Sequence, residues 1–443
     1  MRILVITLPP WRDDKGDGNV LTNLFSDFDA EFAGIYCMNG IPSNMICRRY
    51  YQMTDQMAIS NILHHSPMGK TLTEEELRPV SYSEQKKNEN RAFYSFFWKH
   101  KWELFYIIRE AVWSLSGWKN EQLRSFILDF SPDIIYAPLY ANCFTSKLLR
   151  YVQKISGAPV ISPVYDDIYS LDQIHFDPLY WIHRFAIRHQ LRKTLPVISL
   201  LNTFAPKQKE YCEHYFAKRT VIIPKSGVPA ELRTGTGSPI RIIYAGGIYL
   251  NRYKTLVQVV KAIRAIDPSG NTFRLDIFTD NDLYDNSAKK LLDDRNCSFL
   301  HSAVPYSELK QAYAKSDIAL HAESFDAISK KTVHMSFSTK IVDCLESGCA
   351  VLAIADAEQA GFSYLKKEDA AICISNPSEI LPVLRNISDH PEILDEMRRK
   401  AKACLAKNHS KSRINELLHT EFEEVILQSG KRSSSSSNAG KQT

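Results

Sequence analysis

Lys340 and Asp343 stand about one helical turn apart behind the polar run Ser336-Phe337-Ser338-Thr339. A lysine among the free N–H groups of a helix start suits a phosphate, and the dipole there favours negative charge. Ser338, Thr339 and Lys340 are therefore candidate anion-binding residues. Asp343, one turn further in, is placed to accept hydrogen bonds from a neighbouring sugar hydroxyl. Earlier in the chain, Gly246-Gly247 is followed by Arg252 and Lys254. The glycines let backbone approach a ligand closely, and the two cations suit a diphosphate. A third group is Asp166-Asp167. Two carboxylates there can orient an acceptor hydroxyl or deprotonate it. Adjacent residues on an extended segment point opposite ways, so one of the two is expected to face a cleft. The plainer alternative for this pair is an Asx-turn and an N-cap. Glu323 follows the apolar run 318–321 and either touches the same ligand or is a solvated loop acid.

These residues need elements to position them. Ile341, Val342 and Leu345 share one helical face, and Ser336 or Ser338 can cap that helix. Gly348 suits a left-handed C-cap, and residues 350–354 are continuously apolar, as a buried parallel strand should be. The pattern predicts strands at 241–245, 274–278, 298–301 and 318–321 in the second half. A helix with Leu256, Val259 and Ile263 follows the glycine loop, so Arg252 and Lys254 fall on a loop just before it. Residues 327–335 read as a mobile loop over the cleft. In the first half, residues 2–8, 33–37, 133–137, 159–163, 197–201 and 220–224 read as strands, with helices at 122–130 and 143–156. Gly18 and Asn19 follow the polar loop 12–17 and open a helix carrying Leu21, Leu24, Phe25 and Phe28; by themselves they are an ordinary capped helix start. Residues 40–90 are irregular and polar, with a charged run at 86–91.

Strand–helix alternation in both halves predicts an α/β protein with two doubly wound, Rossmann-like domains. The expected division is a first domain at 1–225, a linker at 226–240 and a second domain at 241–410. A helix is expected at 411–429 and a disordered tail at 430–443. The 443 residues suit two domains. A net charge of +5 is small and dispersed, which argues against nucleic acid and allows a phosphorylated small molecule or an anionic surface. The nine cysteines show no C-x-x-C and no metal spacing with histidine. They point to reduced thiols in a cytoplasm, and no metal residue is assigned. His175, His183 and His189 lack an acidic partner at ligand spacing and read as structural or solvated. No apolar run reaches the ~18 residues of a membrane span.

The stretch S-F-S-T-K-I-V-D-C-L-E-S-G-C-A-V-L-A at 336–353 resembles the nucleotide-sugar-binding segment of GT-B glycosyltransferases, especially the retaining family 4 and related bacterial enzymes. Ser338, Thr339, Lys340, Gly348, Val351 and Ala353 match the pattern. Asp343 replaces the usual glutamate, Ala350 a proline, and Met335 stands where the fuller signature has a second glutamate. The order G-G-x-x-x-x-R-x-K at 246–254 resembles that family's diphosphate loop. W-R-D-D-K-G-D-G-N-V-L-T-N-L-F at 11–25 resembles its opening, with Gly18 and Asn19 at the inter-domain cleft. The resemblance implies a GT-B architecture, with the first domain on the acceptor side, the second binding the nucleotide-sugar and the helix at 411–429 crossing back to the first. It implies sugar transfer from a nucleotide-diphosphate-sugar to an acceptor hydroxyl, in polysaccharide or glycoconjugate synthesis. It implies retention at the anomeric carbon, no metal and no cofactor. The acceptor is a sugar or a lipid-linked sugar. A nucleotide-sugar epimerase of the same fold and a non-catalytic GT-B-like partner are the rivals.

Residues 92–98 are aromatic, and Lys99-His100-Lys101 follows. Leu104, Phe105, Ile108, Ala111, Val112 and Leu115 then recur at helical spacing. This face either packs inside the first domain, the preferred reading, or lies in a membrane interface as a peripheral contact through 92–115 at the inner face of the membrane.

Overall fold

Continuously apolar runs become the buried strands of two parallel sheets. The computed structural model describes residues 1–13, 16–77, 103–281 and 285–430. Part of the loop predicted at 12–17, the charged run 86–91, the aromatic run 92–98 and the tail 433–443 lie outside the described residues. In the first sheet, β1 (Arg2–Thr7) is flanked by β2 (Glu31–Tyr36) and β5 (Ile134–Tyr136). The order is β4 (Lys70–Thr71), β3 (Arg49–Gln52), β2, β1, β5, β6 (Val160–Pro163), β7 (Ile198–Thr203), β8 (Thr220–Ile222). Only the β3–β4 pairing in it is antiparallel. The second sheet is parallel throughout: β11 (Ser298–Ser302), β10 (Phe273–Thr279), β9 (Ile240–Ala245), β12 (Ile318–Ala322), β13 (Ala350–Ile354), β14 (Ile372–Ile374). Every residue of β12 and β13 is buried, which explains why these strands read as unbroken apolar runs.

In each sheet the chain order reverses at one place: between β1 and β5, and between β9 and β12. Ligands of doubly wound sheets sit outside the carboxyl ends of the strands at such a switch point. The Gly246-Gly247 loop leaves β9 and Glu323 leaves β12, so both lie at the second switch point.

Helices cover the sheets. In the first half these are α1 (Gly16–Phe25), α2 (Asp55–His64), α3 (Glu103–Leu115), α4 (Glu121–Phe130), α5 (Cys143–Ser156), α6 (Pro178–Thr194) and α7 (Pro206–Phe216). The second half has α8 (Arg252–Ile266), α9 (Asn286–Leu292), α10 (Tyr306–Ala314), α11 (Ala327–Val333), α12 (Lys340–Glu346), α13 (Ala360–Lys367), α14 (Ile380–Asp389) and α15 (Ile393–Asn408). The final helix, α16 (Lys411–Gln428), packs on the first half: Phe422 meets Phe25 and Phe28, and His419 stacks on Phe28 at 4.0 Å. Arg219 also reaches Glu421 and Glu424 of α16. No described helix is long and apolar enough to cross a membrane.

Three local expectations change. Residues 40–77 are ordered as β3, α2 and β4, not irregular. β3 is the polar-looking Arg-Tyr-Tyr-Gln, yet Tyr50 and Tyr51 are both buried. α2 escapes a periodicity search because Ile59 and Leu63 face outward; Thr54 caps it by accepting from Met57 N–H at 3.2 Å. The segment 327–335 is mostly the helix α11, capped by Asp326, rather than a loop. Finally, Leu104, Ile108, Ala111 and Leu115 of α3 point away from the first half instead of packing into it. The buried side of α3 carries Trp113, whose indole donates to Asp55 at 2.6 Å.

Candidate functional site

At the second switch point the chain builds a charged cluster. Arg252 is the first residue of α8 and is buried; it is not on a loop. Its guanidinium donates through Nε to Glu323 Oε2 at 2.6 Å and through Nη2 to Oε1 at 2.9 Å. Glu323 is therefore not a solvated acid, and both of its oxygens accept from Arg252. Its backbone is fixed as well: its N–H donates to Ile354 O at 2.9 Å, and Thr255 Oγ1 donates to Glu323 O at 2.7 Å. Burial opposes the Arg252 charge, but the Glu323 carboxylate more than restores it and raises the guanidinium pKa.

The glycine loop is shaped by this cluster. Gly246 has φ +150°, and a Cβ there would lie 1.9 Å from Lys340 Nζ. The ammonium thus rests against bare backbone, which only glycine permits. Gly247 is similarly closed in by the Tyr249 ring and Asn281, and Ile248 N–H donates to Asn281 Oδ1 at 2.9 Å. Asn251, in left-handed backbone, donates to Asp326 Oδ2 at 3.1 Å and so ties the β9 loop to the start of α11. Lys254 lies on the exposed side of α8, near the Tyr253 ring.

Lys340 opens α12. Part of its surface reaches solvent, yet protein crowds the ammonium from most directions. That crowding, with Arg252 repelling it, brings the Lys340 pKa down to about 8. Neither Ser336 nor Ser338 caps the helix; Thr339 holds the N-cap position without a side-chain bond. Ser336 is used otherwise: its Oγ donates to Asp166 Oδ1 at 2.5 Å, across from the first half. Gln359 holds this turn by donating to Ser336 O at 2.7 Å. Met335, one residue earlier, is buried among apolar residues of the first half. Asp343 accepts a bond from Lys225 of the inter-sheet connection.

The two adjacent aspartates divide as alternation requires. Asp166 is open to the cleft, though walls from both halves crowd its carboxyl and push it above the ordinary carboxylate range. Asp167 points inward and is buried. Its Oδ1 accepts from Ser170 N–H at 2.8 Å, Tyr169 N–H at 3.1 Å, Tyr211 OH at 2.6 Å and Arg184 Nη2 at 2.8 Å. Burial disfavours its charge, but these donors outweigh that and bring the pKa down to about 2. Asp167 therefore anchors the loop as an Asx-turn, and the structure gives it no opening to a ligand.

Gly18 lies inside α1, where a Cβ would meet Arg12 backbone at 2.3 Å; the glycine is needed for that close approach. Asn19 donates to Asp13 O at 2.8 Å, so its side chain holds the preceding loop. Sequence reasoning missed His321, which ends in a buried Nε2 without a hydrogen-bond partner beside this cluster. Burial, then the nearby Arg252 and Lys340 against Glu323, brings its pKa down to about 4 and keeps it neutral. Its place at the end of an apolar strand was the available signal.

The arrangement places Arg252 and Lys340 beside the glycine loop, with Lys254 on the exposed side of α8 and Asp166 reaching Ser336 from the first half. Residues 264–419 match a family model described as glycosyl transferase-like. No curated protein matches the chain by sequence. Among solved structures, sucrose-phosphate synthase from Thermosynechococcus elongatus is similar at a TM-score of 0.61 and 10% identity, over 96% of this chain and 99% of that one. HepE of Anabaena, in complex with UDP, is similar at 0.55 and 12% identity, over 96% and 100%. The pneumococcal O-GlcNAc transferase GtfA, in complex with UDP and GlcNAc, is similar at 0.50 and 15% identity, over 70% of this chain and 60% of that one. Two largely parallel, doubly wound sheets, matched over nearly the whole chain by sucrose-phosphate synthase and HepE, make this a protein of GT-B fold, with a glycosyl transferase-like region at 264–419.

Proposed function

We propose that the chain transfers a sugar from a nucleotide-diphosphate-sugar to an acceptor hydroxyl. The observation that carries this reading is the Lys340 ammonium lying on Gly246 beside the Arg252–Glu323 pair, at the switch point of the second sheet. A diphosphate laid along the glycine loop meets Lys340, with Lys254 at the rim. Lys340 carries most of the binding and catalytic charge, because Arg252 is already shared with Glu323. As the bond to the anomeric carbon breaks, negative charge grows on the leaving diphosphate, and a preplaced ammonium stabilises it more than the ground state. Asp343 meets the ribose through the oxygen that Lys225 does not use. Asp166 orients the acceptor hydroxyl in place of Ser336. Retention of configuration and independence from a metal follow from the resemblance and belong to this proposal. Solved relatives named with UDP make a UDP-sugar the first donor to try.

Lys340→Ala is expected to lower turnover about ten- to a hundredfold, the worth of one hydrogen bond to a charged group. Lys254→Ala is expected to weaken donor binding by less, being exposed, and to leave the fold intact. In the free protein, donor affinity should fall as pH rises through about 8, where Lys340 loses its proton. A thermal-shift titration with UDP across pH 6.5–9.5 checks this. A flat profile, with Lys340→Ala behaving as wild type, removes Lys340 from the site. Labelled donor incubated without acceptor separates transfer from epimerisation.

We further propose that the first half rests on an anionic lipid surface that presents the acceptor. Leu104, Ile108 and Leu115 form an exposed stripe on α3, and Ile182 and Phe185 of the neighbouring α6 are exposed too. Lys147 donates to Ser114 of α3 at 2.7 Å, so the stripe runs into a basic cavity of about 670 Å³. Lys119, Arg124, Lys147, Arg150 and Lys154 line it. Apolar residues beside a cation cluster are the chemistry of an interfacial contact. A Leu104→Ser, Ile108→Ser, Leu115→Ser variant should sediment less with anionic vesicles while its melting temperature stays within the small range of surface changes. Wild-type protein that never sediments with such vesicles ends this idea.

A further inference from the structure

Outside the cleft, three helices bring a carboxylate, a thiol and an imidazole together. Glu110 of α3, Cys143 at the start of α5 and His183 of α6 hold ligand atoms within 4.8 Å of one another. Among the described residues this is the one such cluster. Cys143 and His183 are buried, with His183 only 8% exposed. Two polar atoms here are buried and have no hydrogen-bond partner: His183 Nε2 and Glu110 Oε2. His183 Nε2 lies 3.8 Å from Glu110 Oε1, too far for a hydrogen bond. Buried polar atoms are nearly always satisfied, so two left open in one cluster call for a further partner there.

The other side of the imidazole is already fixed. His183 Nδ1 lies 3.3 Å from Glu103 Oε2, and the Tyr106 ring runs nearly parallel to the imidazole. With one ring nitrogen held by Glu103, the Nε2 edge of the imidazole faces Glu110 and Cys143. A carboxylate behind a histidine is the usual support of a metal-bound imidazole. Glu110 is positioned too, because Cys143 N–H donates to its Oε1 at 2.6 Å and leaves Oε2 free.

We propose that Glu110, Cys143 and His183 bind a zinc ion, with Glu103 as the positioning residue behind His183. One thiolate, one imidazole and one carboxylate suit zinc, and water completes the tetrahedron. On binding, the Cys143 thiol and His183 Nε2 each release a proton to solvent, so that both meet the ion through a free electron pair. The ion ties α3 to α5 and α6. The residue after His183 is Arg184, which holds the Asp167 loop, so this staple sits directly behind the acceptor-side turn. The sequence hides the site because its ligands come from three separate helices and share no local spacing. The inference does not rest on sugar transfer.

The test uses the full chain without an affinity tag, purified without chelator. Elemental analysis should find about one zinc per chain. After removal of zinc, cobalt(II) should produce the intense near-ultraviolet absorption of a cobalt–thiolate bond. Cys143→Ser should lose that absorption, and Glu103→Gln should keep it at an affinity about 10–100-fold weaker. Background zinc together with no thiolate absorption in the wild-type protein overturns the proposal and leaves the cluster an ion pair between His183 and the two glutamates. Absorption that persists in Cys143→Ser overturns it as well. The wild-type result decides even if a variant fails to fold.

Discussion

Arg252→Ala is expected to destabilise the protein by about 3–5 kcal/mol, far more than a donor-binding residue on a loop would. The substitution removes both donors from a buried Glu323 and leaves an uncompensated carboxylate against β12. For a unit of 150–250 residues, that corresponds to a melting temperature lower by roughly 10 °C. Lys254→Ala, on the exposed side of the same helix, should leave the melting temperature nearly unchanged. An Arg252→Met, Glu323→Leu double variant should recover much of the loss, because a packed apolar pair removes both charges from the interior at once. It should not recover donor binding, since Lys340 then faces the diphosphate without its neighbours. Calorimetry of the three variants checks the stability claim. An Arg252→Ala protein that melts with the wild type would mean that Glu323 finds other partners or water, and that Arg252 is free to serve the donor.

The central strands were legible because burial on both faces forces apolar runs, whereas β3, β4 and β14, at or next to the sheet edges, were not. The runs at 318–321, 350–354 and 241–245 carry that signal. The donor loop was legible for a related reason: Gly246 is required by contact with Lys340, and a required glycine stands out between a strand and a basic helix start. Partnerships across long distances were not legible. Nothing in the chain announces that Arg252 pairs with Glu323, that Asp343 pairs with Lys225, or that His183 sits between Glu103 and Glu110. Such pairs depend on tertiary packing that no local period encodes. Amphipathicity misled at α3. A stripe of Leu104, Ile108 and Leu115 normally marks the core face, but here Trp113 fills the core and Arg109 faces Asp55, so the stripe is left outside. At the 166–167 pair, alternation correctly said that one carboxylate would face the cleft. It took the donors around Asp167 to say which.

That division makes opposite expectations for two neighbouring substitutions. Asp167→Asn should lower stability by about 2 kcal/mol, since its pKa falls from 3.8 to about 2 and each unit is worth about 1.4 kcal/mol. The folded pKa is depressed, so this contribution is fully present above about pH 4 in the wild type and is lost as pH falls towards 2. The Asn variant should therefore approach the wild type in stability under acid and differ from it at neutral pH. Asp166→Asn should do the reverse. Its carboxyl lies open to the cleft, and an Asn Oδ1 can still accept from Ser336, so stability should stay within about 0.5 kcal/mol of the wild type. Transfer to the acceptor should fall about ten- to a hundredfold, the worth of one hydrogen bond to a charged group. Donor affinity, read by thermal shift with a UDP-sugar, should not move. The wild-type rate should also rise with pH through the raised pKa of Asp166, and that limb should vanish in the Asn variant. If Asp166→Asn transfers sugar at the wild-type rate, the acceptor is held elsewhere. If instead Asp167→Asn keeps full stability and loses transfer, the buried carboxylate is the one that acts.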